Sequence, residues 1–304
     1  MKQDFDTGEL KSLLEKSLGF CLSSLVRLDG ASALNFRAER AADGLAFAVK
    51  CSPRSRQVMF DHLVNHLRET EGTKAVRRLF AETCPSTFRG YNVICLSWCD
   101  GLRRFPDQLT ESQLLAFLDE YQLFSKAMQG ASGILPHDPM LVWRTQALAS
   151  CRGFWGGRVR RLIAREIPAS SVTYRRERLK VIHGDFHHGN FLFSGEKVSG
   201  FFDLEEFCEG YPADDVIRYF VCAAEHLRWY EYPRLGRILS RFSAAVRHLP
   251  YPREEWETAI DGLLLRKIYM KTRDGGVGFA RAANLLFRAR FYRRLRRRME
   301  EVLG

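Results

Sequence analysis

The most constraining stretch of this chain is Val181-Ile182-His183-Gly184-Asp185-Phe186-His187-His188-Gly189-Asn190-Phe191-Leu192-Phe193. An apolar run enters a polar loop holding a carboxylate, Asp185, and an amide, Asn190, and a second apolar run leaves it. A further strand-like run, Val198 to Phe202, delivers another carboxylate, Asp203, at its end. Each of these residues alone is an ordinary turn former. Their order between apolar runs matches what phosphoryl transfer requires. One carboxylate orients an attacking hydroxyl and accepts its proton, while an Asn and an Asp supply hard oxygen ligands for Mg²⁺ on nucleotide phosphates.

The rest of the chain divides into two parts. Residues 1–99 read as small and strand-rich, with Leu22 to Leu28, Leu34 to Ala41 and Leu45 to Cys51 forming a three-strand meander that ends at Lys50. A helix from Arg56 to Thr70 is expected after Pro53, then a buried strand, Val93 to Trp98, closed by the turn Asp100-Gly101. From residue 100 to 304 the pattern is mainly helical. Thr110-x-x-Gln113 resembles a capping box, and Arg144 to Ile167 reads as a helix interrupted by Gly153, Gly156 and Gly157. The expected class is α+β, in two lobes.

At this point the loop resembles a known family. His183-Gly184-Asp185 and Asn190, followed by a hydrophobic strand and Asp203, are similar to the catalytic loop of the aminoglycoside phosphotransferase and choline kinase family, relatives of the protein kinases. Phe186 and His188 stand where the family commonly has Leu and Pro. The run Gly210-Tyr-Pro-Ala-Asp-Asp-Val-Ile resembles the segment that follows. The resemblance implies a protein-kinase-like fold with ATP and Mg²⁺ between the lobes. Asp185 would be the catalytic base, Asn190 and Asp203 the metal ligands, His183 a support for the loop backbone, and Asp215 a brace at the start of a helix. Glu205 matches a position that is often acidic.

The same resemblance extends to the first lobe. Ala48-Val49-Lys50 is similar to the family's strand whose Lys meets the α- and β-phosphates, and Asp29 to Ala33 lies where the phosphate-covering loop belongs, with Ser32 as a phosphate cap. Asp61 is the better candidate for the acidic partner of Lys50, with Glu69 the other. Leu96 to Gly101 resembles the adenine-binding hinge, with contacts expected at Ser97, Trp98 and Cys99; for the Trp98 side chain, a core position is the safer reading. His62 and His66 read as a surface pair, and the cysteines as free thiols.

Composition bears on the acceptor. Eight cysteines at irregular spacing argue against a disulfide scaffold. Met1 to Glu15 has no signal-peptide pattern, and no run reaches the ~20 apolar residues of a membrane span. A cytoplasmic chain is expected. The net charge is +11, and Arg281 to Gly304 holds eight arginines against two glutamates. Leu286, Phe287, Phe291, Leu295, Met299 and Val302 give that segment an apolar helical stripe. Packing against the domain is the ordinary reading of such a helix. A peripheral contact of Arg288 to Arg298 with an anionic membrane surface is the sharper one. Nucleic acid is not an expected partner, since no binding motif accompanies the charge. The basic balance leans the acceptor toward a sugar or glycolipid, such as a lipopolysaccharide core sugar, over an aminoglycoside or choline-type compound. A different class, a weakly catalytic pseudokinase-like scaffold or anionic-surface module, is the remaining alternative, and the intact Lys50, Asp185, Asn190 and Asp203 stand against it.

Overall fold

Alternating apolar residues in the first hundred positions pair into one antiparallel sheet. In the computed structural model its strands are β1 (Leu22–Leu28), β2 (Leu34–Arg40), β3 (Ala46–Pro53), β4 (Arg78–Leu79), β5 (Thr87–Phe88) and β6 (Tyr91–Ser97), ordered β1-β2-β3-β6-β4 with β5 beside β6. The structure describes residues 6–28, 34–54, 73–74, 78–128, 147–167, 175, 178–206, 208–225, 227, 231–272 and 277–304. The expected helix at 56–70, the turn at 29–33 and the residues Ser32, Asp61, Glu69, His62 and His66 lie outside the described residues.

The alternation of β3 decides where Lys50 points. Phe47, Val49 and Cys51 are buried in a small core with Phe36, Val93 and Cys95. Ala48 and Lys50 face the other way, opposite Leu96 and Ile94 of β6, whose side chains belong to the larger core. β3 continues to Pro53, so Lys50 sits inside the strand and does not end it as the sequence reading expected.

Ahead of the sheet lies a helix that the sequence reading did not assign, α1 (Thr7–Leu18). Asp6 caps it by accepting from the amides of Gly8 (2.8 Å) and Glu9 (3.1 Å). Leu10, Leu14 and Leu18, one turn apart, cover the small core.

The second part is built on α2 (Glu111–Ala127), α3 (Gly153–Glu166), α4 (Pro212–Glu225), α5 (Tyr232–His248), α6 (Arg253–Thr272) and α7 (Phe279–Leu303). Two short antiparallel ladders join them, β8 (Phe191–Ser194) with β9 (Lys197–Phe201), and β7 (Lys180–Ile182) with β10 (Cys208–Gly210). The capping box at α2 is formed, with Gln113 N donating to Thr110 Oγ1 (3.1 Å) and Thr110 N donating to Gln113 Oε1 (2.8 Å). The helix expected from Arg144 to Ile167 is broken: residues 147–150 are helical, the chain interrupts at Cys151 and Arg152, and α3 resumes at Gly153 with Gly156 and Gly157 inside it, while 144–146 lie outside the described residues.

Beneath the polar loop lies an aromatic core. Phe117 and Tyr121 of α2 pack on Phe191 and Phe186, both with ring centroids 4.6 Å apart, and Tyr219 of α4 closes the group at 5.0 Å from Phe191. Burying each such ring stabilises the fold by roughly 1.5–3 kcal/mol, so the loop rests on a rigid floor. Phe186, where the family has Leu, is fully buried there.

Helix α7 buries Leu285, Ala289, Tyr292, Leu295 and Met299. Phe287, expected in the apolar stripe, is instead 47% exposed. Two of the arginines turn inward, Arg288 onto Glu225 and Arg296 onto the buried Asp261. Among the described residues, no helix is long and apolar enough to cross a membrane.

Candidate active site

The polar loop leaves β7 at His183 and re-enters the sheet pattern at Phe191, the first residue of β8. Its first turn needs a glycine: Gly184 has φ +76°, and a Cβ there would overlap the carbonyl oxygen of Glu206. The backbone of this turn is held from below by α4. Asp215, fully buried, accepts from His183 N (2.7 Å) and Tyr121 Oη (2.9 Å) through Oδ2, and from Gly184 N (3.0 Å) through Oδ1. Burial raises the Asp215 carboxyl above its usual range, against the opposing pull of the His183 and Arg218 charges and the donated bonds.

The imidazoles stiffen the loop. The Asp185 amide donates to His183 Nδ1 (3.3 Å), which leaves Nε2–H to donate to the carbonyl of Phe202 (3.0 Å). In the same way Gly189 N donates to His187 Nδ1 (3.0 Å), and His187 Nε2 lies 3.3 Å from Asp185 Oδ2. His188 stacks on Phe105, with ring centroids 4.0 Å apart.

Asp185 is thereby gripped on both oxygens. Oδ2 faces His187 Nε2 and Asn190 Nδ2 (3.3 Å), and Oδ1 receives Arg218 Nη1 (3.1 Å). Arg218, one turn beyond Asp215 on α4, was not picked out from the sequence. Its signal was present: it is the sole cation in the apolar run Val216-Ile217-Arg218-Tyr219-Phe220-Val221, and a buried charge needs a partner. Burial alone would raise the Asp185 carboxyl. The His187 bond and the Arg218 charge override it and hold the group below the usual carboxylate range. For a carboxyl depressed in the fold, the ionised form is lost only as pH falls through that lowered value. Replacing Arg218 with Met is therefore expected to move the acid limb of the kcat/KM profile to higher pH, read alongside a thermal melt.

The β8–β9 hairpin brings the second carboxylate home. Phe202 N donates to the carbonyl of Asn190 (2.9 Å), which sets Asn190 and Asp203 side by side at the open end of the hairpin. Asn190 Nδ2 donates to the Asp185 carbonyl (2.8 Å), which commits the amide nitrogen to the loop. Asp203 adopts φ +63°, a conformation that Asp tolerates better than most residues, and it is 2.6 Å from Lys50 Nζ. Lys50 and Asp203, 153 residues apart, form an ion pair between the sheet and the end of the β8–β9 hairpin. Glu205 lies in a 3-10 turn (Leu204–Glu206), and its side chain is outside the described residues.

At the end of β6, the expected hinge, Ser97 closes the β3–β6 ladder opposite Phe47, and Trp98 and Cys99 lie beyond it. Trp98 is not in the core: it is half-buried, its Nε1 donates to Asp100 Oδ1 (2.7 Å), and Arg37 sits 5.5 Å over its ring. Gly101, at φ +145°, lets the chain press against Phe193, and Leu102 exchanges both backbone bonds with it (2.8 and 3.0 Å). The segment after β6 is thus tied to the β8–β9 hairpin, which Asn190 precedes and Asp203 follows.

A lysine, two carboxylates and an amide gathered at one place are side-chain types that phosphoryl transfer draws on. The family model for the phosphotransferase enzyme family matches residues 26–257. The chain belongs to that family. Among curated proteins no match is found. Solved structures share the fold. A spectinomycin phosphotransferase in complex with ADP and spectinomycin is 12% identical, with a TM-score of 0.63 and 99% of each chain covered. An amicoumacin kinase in complex with AMP-PNP, Ca²⁺ and its ligand is 11% identical, with a TM-score of 0.59 and 96% of each chain covered. An aminoglycoside phosphotransferase from Alicyclobacillus acidocaldarius is 13% identical, with a TM-score of 0.59, 99% of this chain and 96% of that one covered. The α+β, protein-kinase-like fold expected from the loop is the observed one.

Proposed function

We propose that this phosphotransferase moves the γ-phosphoryl group of ATP to a hydroxyl of a small molecule, with the nucleotide held between lobes of residues 1–99 and 100–304. The observation that carries this reading is the convergence of Lys50 from β3, Asp185 and Asn190 from the loop between β7 and β8, and Asp203 from just past the end of β9, with Lys50 Nζ 2.6 Å from Asp203. Lys50 would meet the nucleotide phosphates, and the backbone at Ser97 to Cys99 the base. Asp185 would orient the acceptor hydroxyl and take its proton, while Arg218 and His187 fix the direction of its carboxylate. His183 and Asp215 would act on the loop backbone.

Asn190 and Asp203 fit a hard divalent cation such as Mg²⁺. Both offer oxygen, and the hydrogen bond from Asn190 Nδ2 to the Asp185 carbonyl commits the nitrogen elsewhere. When bound, such a cation neutralises charge on the phosphates. The ligands of the spectinomycin and amicoumacin enzymes, a nucleotide with a small acceptor and, in one case, Ca²⁺, support the same reading.

For the acceptor, net charge is a poor guide. Arg288 and Arg296, counted above as part of an anion-seeking helix, are held by Glu225 and Asp261. The argument for a glycolipid or lipopolysaccharide sugar loses that support, and a free small molecule is the better reading. An ADP-release assay across hydroxyl-bearing small molecules tests it. Acceptor-dependent ADP formation that EDTA abolishes is expected; formation unaffected by EDTA would contradict the metal assignment.

A further inference from the structure

The alternation that turns Lys50 away from the small core turns two thiols into it. Cys95 of β6 lies opposite Val49 of β3, and Cys51 of β3 lies opposite Val93, so Cys51 and Cys95 are diagonal neighbours on one face of the sheet. A third thiol, Cys84, reaches the same core from the segment between β4 and β5. Its Sγ is 3.2 Å from Cys95 Sγ.

The backbone holds Cys84 in this position. Phe80, at φ +53°, opens a tight turn in which its carbonyl accepts from Thr83 N (3.2 Å) and Cys84 N (2.7 Å). The Phe80 ring packs on Phe47 and Phe20, with centroids 5.2 and 5.3 Å apart. Beyond the thiol, the Ser86 carbonyl accepts from Val93 N (3.0 Å). Both sulfurs are therefore carried by backbone that is bonded to or packed on the sheet. A disulfide brings its sulfurs to ~2.05 Å, so this pair closes by an approach of about 1 Å.

The two thiols differ in access. Cys95 is fully buried and Cys84 is half-buried, so a small oxidant meets Cys84 first. The hydrogen bond with Cys95 lowers the Cys84 thiol below its ordinary value against the opposing effect of burial, and the Arg78 charge acts in the same direction as the bond. A half-exposed thiol inclined to ionise, with a second sulfur in contact behind it, is the arrangement of an attacking and a resolving cysteine.

We propose that Cys84 and Cys95 are a redox pair that closes into a disulfide when a peroxide reaches Cys84. The Cys84 thiolate attacks a peroxide oxygen; an S–O bond forms, the O–O bond breaks, and the departing oxygen leaves as alcohol or water with the proton that Cys84 gave up. The Cys95 sulfur then attacks the Cys84 sulfur; the S–S bond forms, the S–O bond breaks, and water leaves with the Cys95 proton. Two thiols lose two electrons and one peroxide gains them. The link closes on the face of the sheet opposite Lys50, so it staples the turn after β4 to β6 and leaves the Lys50 side open.

The test is mass spectrometry of the full chain, reduced, freed of reductant, treated with hydrogen peroxide and then alkylated. Fragment mapping is expected to show a Cys84–Cys95 link in most chains, and dithiothreitol should reverse it. Closing this short loop should raise Tm by about 2 °C or more. Cys84→Ser should abolish both the link and the rise, and Cys51→Ala should keep the link. Cys84 and Cys95 both recovered alkylated after peroxide, Cys84 recovered as sulfinic acid, Cys95 linked to Cys51 instead, or a lower Tm in the linked chain would overturn the proposal.

Discussion

Replacing Asp185 with Asn is expected to lower kcat by roughly 10²–10⁴-fold, the usual contribution of a positioned proton acceptor, with nucleotide affinity nearly unchanged. The carboxylate meets Arg218 through Oδ1 and His187 and Asn190 through Oδ2. An amide in its place sets an N–H₂ against donors on one side and cannot accept the proton of a hydroxyl. Lys50 and Asp203 lie on the other side of Asn190 and keep their own contact. Single-turnover kinetics with a pulse of labelled ATP separates the two steps. A variant that keeps full turnover would remove Asp185 from the chemistry.

The second large effect falls on Asp215. Its carboxylate is the common acceptor for the amides of His183 and Gly184 and for the Tyr121 hydroxyl, all within the buried core. Asp215→Ala takes this acceptor from the His183 and Gly184 amides, leaves the Tyr121 hydroxyl only its longer bond to the Pro212 carbonyl (3.3 Å), and removes a carboxylate whose charge acts on Arg218. Leaving buried donors and a buried charge unmatched costs about 3–5 kcal/mol, which corresponds to a Tm lower by on the order of 10 °C for a chain of this size. Turnover should fall as well, because Asp185 loses the turn that aims it. Calorimetric melts of the variant and the parent chain read the first effect, and a drop of under 2 °C would show that the loop does not depend on this brace.

How much of this was legible in the sequence differs by element. The loop, the hairpin behind it and the capped helix α2 were readable because their cues are local: turn residues at fixed offsets, apolar runs on either side, and Thr110 three residues from Gln113. Lys50 was readable as a residue at a strand, and its face followed from alternation only once β6 was known to lie beside it. α1 was missed although Asp6 and the spacing of Leu10, Leu14 and Leu18 announce it, since charged residues dilute its apolar stripe. Contacts between distant segments were invisible. Nothing in the sequence near Trp98 indicates that Arg37 lies over its ring, and the pairing of Cys84 with Cys95, Sγ to Sγ at 3.2 Å, depends on how the loop before β6 folds back. Charge was the most misleading cue. A run of arginines reads as a surface, yet Arg288 and Arg296 are drawn inward by acids on α4 and α6, which only the packing of α7 reveals.

The central claim is a metal-dependent nucleotide site built on Lys50, Asn190 and Asp203. Isothermal titration of ATP into the full chain, with and without Mg²⁺, compared with Asp203→Asn, tests it most directly. The account predicts binding that requires the cation in the parent chain and that weakens at least tenfold in the variant. Equal affinity in both chains, or binding that ignores Mg²⁺, would contradict it.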